Sequence, residues 1–244
     1  VDSQDRFEGL GVRVIREAGR FIAPYEVQAG DHVIAARRVV IATGSEPLVP
    51  PIPGLETVEY LTNESLWALR ERPAHLVIIG GGPIGIEMAQ AHVRLGCRVT
   101  VIEGARALGR DDPEMAGVVL DALRAEGVEI VEGATVEKVA AAEGGVEVTA
   151  GGRSYAGSHL LVAVGRRVVT GGLGLEAAGI ETSETGIRVD AGLRTTNRRV
   201  YAIGDAAGGL MFTHVAGYHA GVIIRQMLMG LPSKARTVHI PWAT

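Results

Sequence analysis

The stretch "HLVIIGGGPIGIEMAQAHVRLGCRVTVIE", His75 to Glu103, decides the fold. It reads as an apolar strand from Leu76 to Ile79, a glycine turn, a helix from about Pro83 to Leu95 and a second strand from Arg98 to Ile102. Gly80, Gly82 and Gly85 directly follow the first strand and open the helix, which is the placement a dinucleotide-binding fingerprint requires. Gly80 then makes the tight turn, Gly82 admits a pyrophosphate to the backbone, and Gly85 lets helix and strand pack closely. Pro83 and Ile84 sit at the helix N-terminus, where free N–H groups and the positive dipole end suit phosphates.

Glu103 ends the second strand, 23 positions after Gly80 (103 − 80), close to the spacing of the acid that binds a ribose diol in such folds. A carboxylate there accepts hydrogen bonds from the diol and repels a 2'-phosphate, which favours NAD(H) over NADP(H). Arg106 and Arg110 in the following loop pull the other way. Glu87, read as lying within the first turn of the helix, either answers the helix dipole or presents a charge to a nicotinamide.

Working outward, "DPEMAGVVLDALRAEG" (Asp112 to Gly127) reads as a helix with acid at its front and glycine as its stop. The runs "VEIVEG", "ATVEKVAAAEGGVEVTA" and "SHLLVAVG" follow as strands, with a Gly-Gly hairpin signal in the second. Residues 1–50 read as strands at "VRVI", "YEVQAGDHVIAA" and "RRVVIATG", and the proline cluster after them marks a boundary. "TNESLWALRERP" reads as a short helix capped by Thr62 or Asn63. Near the end, Val200 to Ile203 reads as a strand stopping at Gly204-Asp205, and His214 to Gly230 as a closing helix. The fold class expected is α/β: a Rossmann-like domain of parallel sheet plus β-meander, joined to a second region of strands ending in small-residue turns.

The 244 residues are 47% hydrophobic, with 34 glycines and 4% aromatics, which suits an α/β protein with many strand-to-helix turns. A net charge of −4 with the signs interspersed points to neither a nucleic acid nor an anionic membrane as partner. No apolar run approaches the roughly 18 residues of a membrane span, and no leader opens the chain, so a soluble cytoplasmic protein is expected. Cys97 is the only cysteine, so these residues hold no CxxC or CxxxxC redox pair, and Cys97 reads as a small buried residue. His214 and His219 stand about 140° apart on a helix and are not expected to share a metal. His32, His75, His92, His159 and His239 read as exposed or capping, and Trp67 and Trp242 as packing residues. No GxSxG elbow supports a hydrolase. "VVIATG" and "VYAIGD" are apolar strands whose terminal turns are candidate ligand contacts, with Asp205 either accepting from a sugar-like hydroxyl or capping a helix.

"RRVVIATGSEP", "VIIGGGPIGIEMA", "LLVAVGRR" and "TNRRVYAIGDAAGG" occur in the order, and at roughly the separations, of the FAD-dependent pyridine nucleotide-disulfide oxidoreductases. The chain resembles that family, most of all its dihydrolipoamide dehydrogenase and mercuric reductase branch. The resemblance implies an NAD(P)-binding domain at 51–165 inserted into a flavin domain at 1–50 and 166–237, with 238–244 the threshold of a dimerisation domain. It implies that Thr43, Gly44, Gly204 and Asp205 contact FAD, Asp205 through the ribityl chain, and that Gly165 belongs with the nicotinamide nucleotide. Glu87 matches an acid near nicotinamide and flavin that pairs with a lysine beside the redox disulfide. The parent enzyme would be a homodimer passing hydride from NAD(P)H to FAD and then electrons to a disulfide or metal substrate.

The chain also departs from that pattern. The family's first FAD fingerprint and CxxxxC pair would lie before Val1, so the 244 residues are expected to bind NAD(H), to hold little or no FAD and to be catalytically incompetent alone. Val168 and Val169 stand where the family usually reads Pro-Asn, and Pro83 replaces an aromatic that gates the nicotinamide pocket in some relatives. Incomplete flavin walls predict exposed apolar surface along "VVIATG" and "VYAIG", and hence self-association. The competing readings are a stand-alone NAD(H)-binding module completed by a second chain, and a flavoprotein NADH dehydrogenase or ferredoxin-reductase relative. Simple hydroxy-acid dehydrogenases fit worst, having no use for "YAIGD".

Overall fold

Turn residues at Pro24-Tyr25 and Gly30-Asp31 bend the start of the chain back on itself. The computed structural model describes residues 3–241. Helix α1 (Gln4–Gly9) is capped by the Ser3 hydroxyl, which accepts from the Arg6 amide at 3.3 Å. The antiparallel meander β1 (Gly19–Ala23), β2 (Glu26–Ala29) and β3 (His32–Ala35) follows, and then β4 (Val39–Ile41). "VRVI" is not a strand: no neighbouring strand among the described residues pairs with Val12 to Ile15. Two compact units divide the chain, one of residues up to 45 and from 168 to 241, the other of residues 46–167.

β5 (Ser45–Pro47) leads into the second unit. The helix expected over "TNESLWALRERP" is a single 3-10 turn, Leu66–Ala68. Its side chains take the backbone first: Ser65 Oγ accepts from the Thr62 amide at 2.9 Å and Thr62 Oγ1 from the Glu64 amide at 3.3 Å, arrangements that compete with a helix. Trp67 is 70% exposed and donates its indole N–H to the Asn63 carbonyl, so it is not a packing residue; Trp242 lies outside the described residues.

Next come β6 (His75–Ile79), α2 (Pro83–Arg94), β7 (Arg98–Ile102), α3 (Pro113–Ala125), β8 (Glu129–Val131), the meander β9 (Val136–Ala142), β10 (Gly145–Ala150), β11 (Arg153–Gly157), and β12 (His159–Val162). The four parallel strands lie in the order β12-β6-β7-β8. Because side chains alternate across a sheet, Leu76 and Ile78 of β6 face one way and Val77 and Ile79 the other. The first pair packs with Ile86 and Ala89 of α2 and Leu120 and Leu123 of α3. The second pair packs with Val139, Val146 and Val148 of the meander. A parallel sheet covered on both faces requires the near-continuous apolar runs seen in β6 and β7. Cys97 is buried among the helix-side residues, and burial pushes its thiol pKa up. His75 is half-buried, with Nε2 2.9 Å from Thr100 Oγ1, rather than exposed or capping.

After β13 (Arg166–Val168) the chain rejoins the first unit through β14 (Thr182–Ser183), β15 (Gly186–Ile187), β16 (Val200–Ala202) and α4 (Thr213–Met227). β16 runs parallel to β4, with Val200 opposite Val39 and Ala202 opposite Ile41. The expectation of exposed apolar surface fails along β16: Val200, Tyr201 and Ala202 are at most 1% exposed. Leu175, Ile187, Val222 and Ile223 are among the residues that cover them. On β4 only Val40 reaches 36% exposure.

Candidate functional site

The glycine turn lies at the carboxyl end of β6, where a parallel sheet collects ligands. Gly80 has φ +111, and a Cβ there would lie 2.5 Å from the Ala163 carbonyl oxygen. A Cβ on Gly85 would lie 2.0 Å from the Gly80 carbonyl oxygen, so the fold itself demands both glycines. Gly82 differs: its φ is −75, and a Cβ there would meet nothing within 4 Å. A side chain at Gly82 would meet open space rather than protein.

Gly82 is the N-cap of α2 and gives no side-chain cap. The first helical bond runs from the Ile86 amide to the Gly82 carbonyl at 3.0 Å, so the helix offers no acceptor to the amides of Ile84 and Gly85. Pro83 at the next position has no N–H to orphan and its φ suits a helix start. These donors and the open space at Gly82 fit a diphosphate.

Glu103 reaches back to the same turn. Its Oε2 accepts from the Gly81 amide at 2.7 Å and its Oε1 from the Ala105 amide at 2.9 Å. Each carboxylate oxygen has a further lone pair, so a diol remains within its acceptor capacity. Gly165 (φ +131) lies two residues beyond Ala163, the residue against Gly80, and its carbonyl accepts from the Leu48 amide at 3.0 Å.

Glu87 is the fifth residue of α2, not part of its first turn, which carries no acidic residue. The helix field fades beyond the first turn, so the dipole reading of Glu87 loses its basis. Its side chain is exposed and makes no hydrogen bond or ion pair with the described residues.

The first unit carries a separate constellation. Thr43, Gly44 and Ser45 follow β4, and Gly204 and Asp205 follow β16, so the parallel pairing sets both turns at the same sheet end. Ser45 Oγ donates to Asp205 Oδ2 at 2.5 Å, tying the two turns together. Asp205 lies inside a 3-10 turn, Gly204–Ala207, and caps nothing. Thr43 Oγ1 donates to the Val169 carbonyl at 3.0 Å, and the Val169 amide donates to the Gly44 carbonyl at 3.1 Å. Val169 acts through its backbone, so its departure from Asn leaves this contact intact. The Gly204 amide donates to Nδ1 of buried His219 at 3.2 Å, and burial lowers the His219 pKa. Among the described residues, no group of three or more His, Cys, Asp or Glu side chains is placed to hold a metal.

The sequence pattern describing the family "Pyridine nucleotide-disulphide oxidoreductase" matches residues 4–220. The chain belongs to that family. Its members are α/β oxidoreductases that use FAD and NAD(P)H. A mercuric reductase of Bacillus cereus is 36% identical over 244 residues, spanning 97% of this chain and 38% of that protein. A dihydrolipoyl dehydrogenase of Bacillus subtilis is 32% identical over 237 residues, spanning 94% of this chain and 52% of that protein. Among solved structures, the HOCl-induced flavoprotein disulfide reductase RclA of Escherichia coli superposes with a TM-score of 0.89 at 33% identity, covering 95% of this chain and 55% of that one. LpdA of Mycobacterium tuberculosis gives 0.85 at 30% identity, covering 95% and 54%. The chain thus spans between 38% and 55% of the length of these relatives.

The structure brings Gly80, Gly82, Pro83, Ile84, Gly85 and Glu103 to one strand end of the second unit. Thr43, Gly44, Gly204 and Asp205 gather at one strand end of the first unit. Reading the sequence missed Ser45, His219, the Gly81 amide and Glu132, whose Oε1 accepts from the Ala107 amide at 2.9 Å. Only Ser45 had a signal, as the residue after "IATG".

Proposed function

We propose that residues 46–167 bind NAD(H) and that the other unit contributes part of an FAD site, in an enzyme that passes electrons from a nicotinamide dinucleotide to a disulfide or metal substrate. The observation that carries this reading is the space at Gly82, where nothing in the protein requires a glycine. The amides of Ile84 and Gly85 hold the pyrophosphate, Glu103 accepts from the adenosine ribose, and Gly165 lines the nicotinamide side. Glu103 favours NADH over NADPH. Thr43, Gly44, Gly204 and Asp205 hold the flavin, with Asp205 accepting from its ribityl chain while Ser45 orients the carboxylate. Glu87 presents its charge toward the nicotinamide. When bound, the two cofactors supply the hydride chemistry, nicotinamide as donor and flavin as acceptor.

The dithiol step needs two thiols, and these residues hold only buried Cys97. The chain of 244 residues by itself therefore does not reduce a disulfide, and we infer that it binds NADH weakly and holds little FAD. The parent enzyme is a cytoplasmic homodimer with neither membrane nor nucleic acid as partner. No helix among the described residues is long and apolar enough to cross a membrane. Titrating the purified chain with NADH by fluorescence, and reading its flavin absorbance, tests the proposal. NADH binding without near-stoichiometric flavin is expected; a chain that binds no NADH, or purifies yellow with one flavin each, contradicts it.

A further inference from the structure

The loop between β7 and α3, residues 104–111, closes over the same end of the sheet as Glu103 and is clamped at several points. The Ala105 amide is taken by Glu103 Oε1 at 2.9 Å, the Ala107 amide by Glu132 Oε1 at 2.9 Å, and the Leu108 amide by the Gly81 carbonyl at 2.8 Å. Glu132 follows β8, and its other oxygen, Oε2, pairs with Arg124 of α3 at 2.9 Å. Backbone bonds Gly133 N to Ala105 O at 2.8 Å and Ala134 N to Glu103 O at 3.0 Å join the two loops beside it. Leu108 has φ +49, a left-handed conformation that is strained for a non-glycine residue and persists only where its surroundings hold it.

Resting on the reading of this strand end as the nicotinamide-nucleotide site, we propose that Glu132 is a positioning residue that sets its preference for NADH over NADPH. The amides of Gly81, Ala105 and Ala107 are the backbone donors with which such a loop would grasp a 2'-phosphate. All three are already occupied by protein carboxylates, two by Glu103 and one by Glu132. Glu132 also holds the Arg124 guanidinium, a group whose fork geometry suits phosphate. An incoming 2'-phosphate therefore meets two carboxylates and no available amide at these positions, whereas a 2'-hydroxyl needs only an acceptor. Glu132 acts through the loop and through Arg124, and touches neither the nicotinamide nor the reacting atoms.

The test is a pair of fluorescence titrations, NADH and NADPH, on the wild-type chain, Glu132→Gln and Glu132→Ala, with melting temperatures measured in parallel. Glu132→Ala frees the Ala107 amide, leaves Arg124 paired only with Asp121 at 3.0 Å, and removes a negative charge; the NADPH-to-NADH affinity ratio is expected to rise about tenfold, the scale of one charge-assisted hydrogen bond. Glu132→Gln keeps a neutral acceptor for the Ala107 amide and is expected to raise the ratio by a smaller factor. Equal weakening of both dinucleotides, or an unchanged ratio in both variants, overturns the proposal and leaves Glu132 a purely structural residue. If Glu132→Ala melts below the assay temperature, the ratio in Glu132→Gln decides. A wild-type chain that binds neither dinucleotide overturns the site itself, a result distinct from an unchanged ratio.

Discussion

Asp205 is placed by two residues that reading the sequence alone did not connect to it, Ser45 and His219. His219 can accept the Gly204 amide only while Nδ1 is unprotonated. Burial lowers its pKa below 6.5, so the folded protein binds this proton less readily than the unfolded chain. The bond's contribution is therefore full above pH 6.5 and is lost as pH falls from 6.5 through the depressed folded value. His219→Asn offers an acceptor that does not titrate. On acidification from pH 7.5 to about 5.5 the wild type should lose about 1 kcal/mol more stability than this variant. Parallel melting curves across that range check it, and identical pH profiles would remove His219 from the account.

At the scale of elements, β6 is held from both faces, by α2 and α3 on one side and the β9–β11 meander on the other. Leu76 is fully buried, so Leu76→Ala should cost about 2–5 kcal/mol in urea unfolding. Met115→Ala on the 60% exposed side of α3 should stay within about 0.5 kcal/mol. Similar losses in the two would mean that the helix layer is wrongly assigned. The same elements show what the sequence could tell. β6, α2 and β7 were legible because apolar runs, glycine spacing and Pro83 are local signals, and Arg98 to Ile102 was read to the residue. β11, "RSYAG", carries no apolar alternation and exists because β10 pairs with it. The short helix was misread because Thr62 and Ser65 bind backbone locally. The turn geometry at the candidate site was legible where it is local, as in Gly80 to Gly85 and Glu103. Ser45–Asp205 spans 160 positions, and Ala107–Glu132 spans 25, so neither has a local signature.

For the whole molecule, two units with separate strand-end constellations agree with a chain spanning about half of longer relatives. What we propose for the turn after β6 is narrower than the full reaction: it would hold a dinucleotide at Gly82. Gly82→Ala isolates that claim, because φ −75 suits alanine and its methyl would meet nothing within 4 Å of protein. The N-cap change should cost no more than about 1 kcal/mol, so the variant should melt close to wild type. NADH titration of this variant beside wild type is the most direct measurement. NADH affinity should fall about tenfold or more, the equivalent of about 1.4 kcal/mol, with folding preserved. Unchanged affinity in a well-folded Gly82→Ala chain would contradict it.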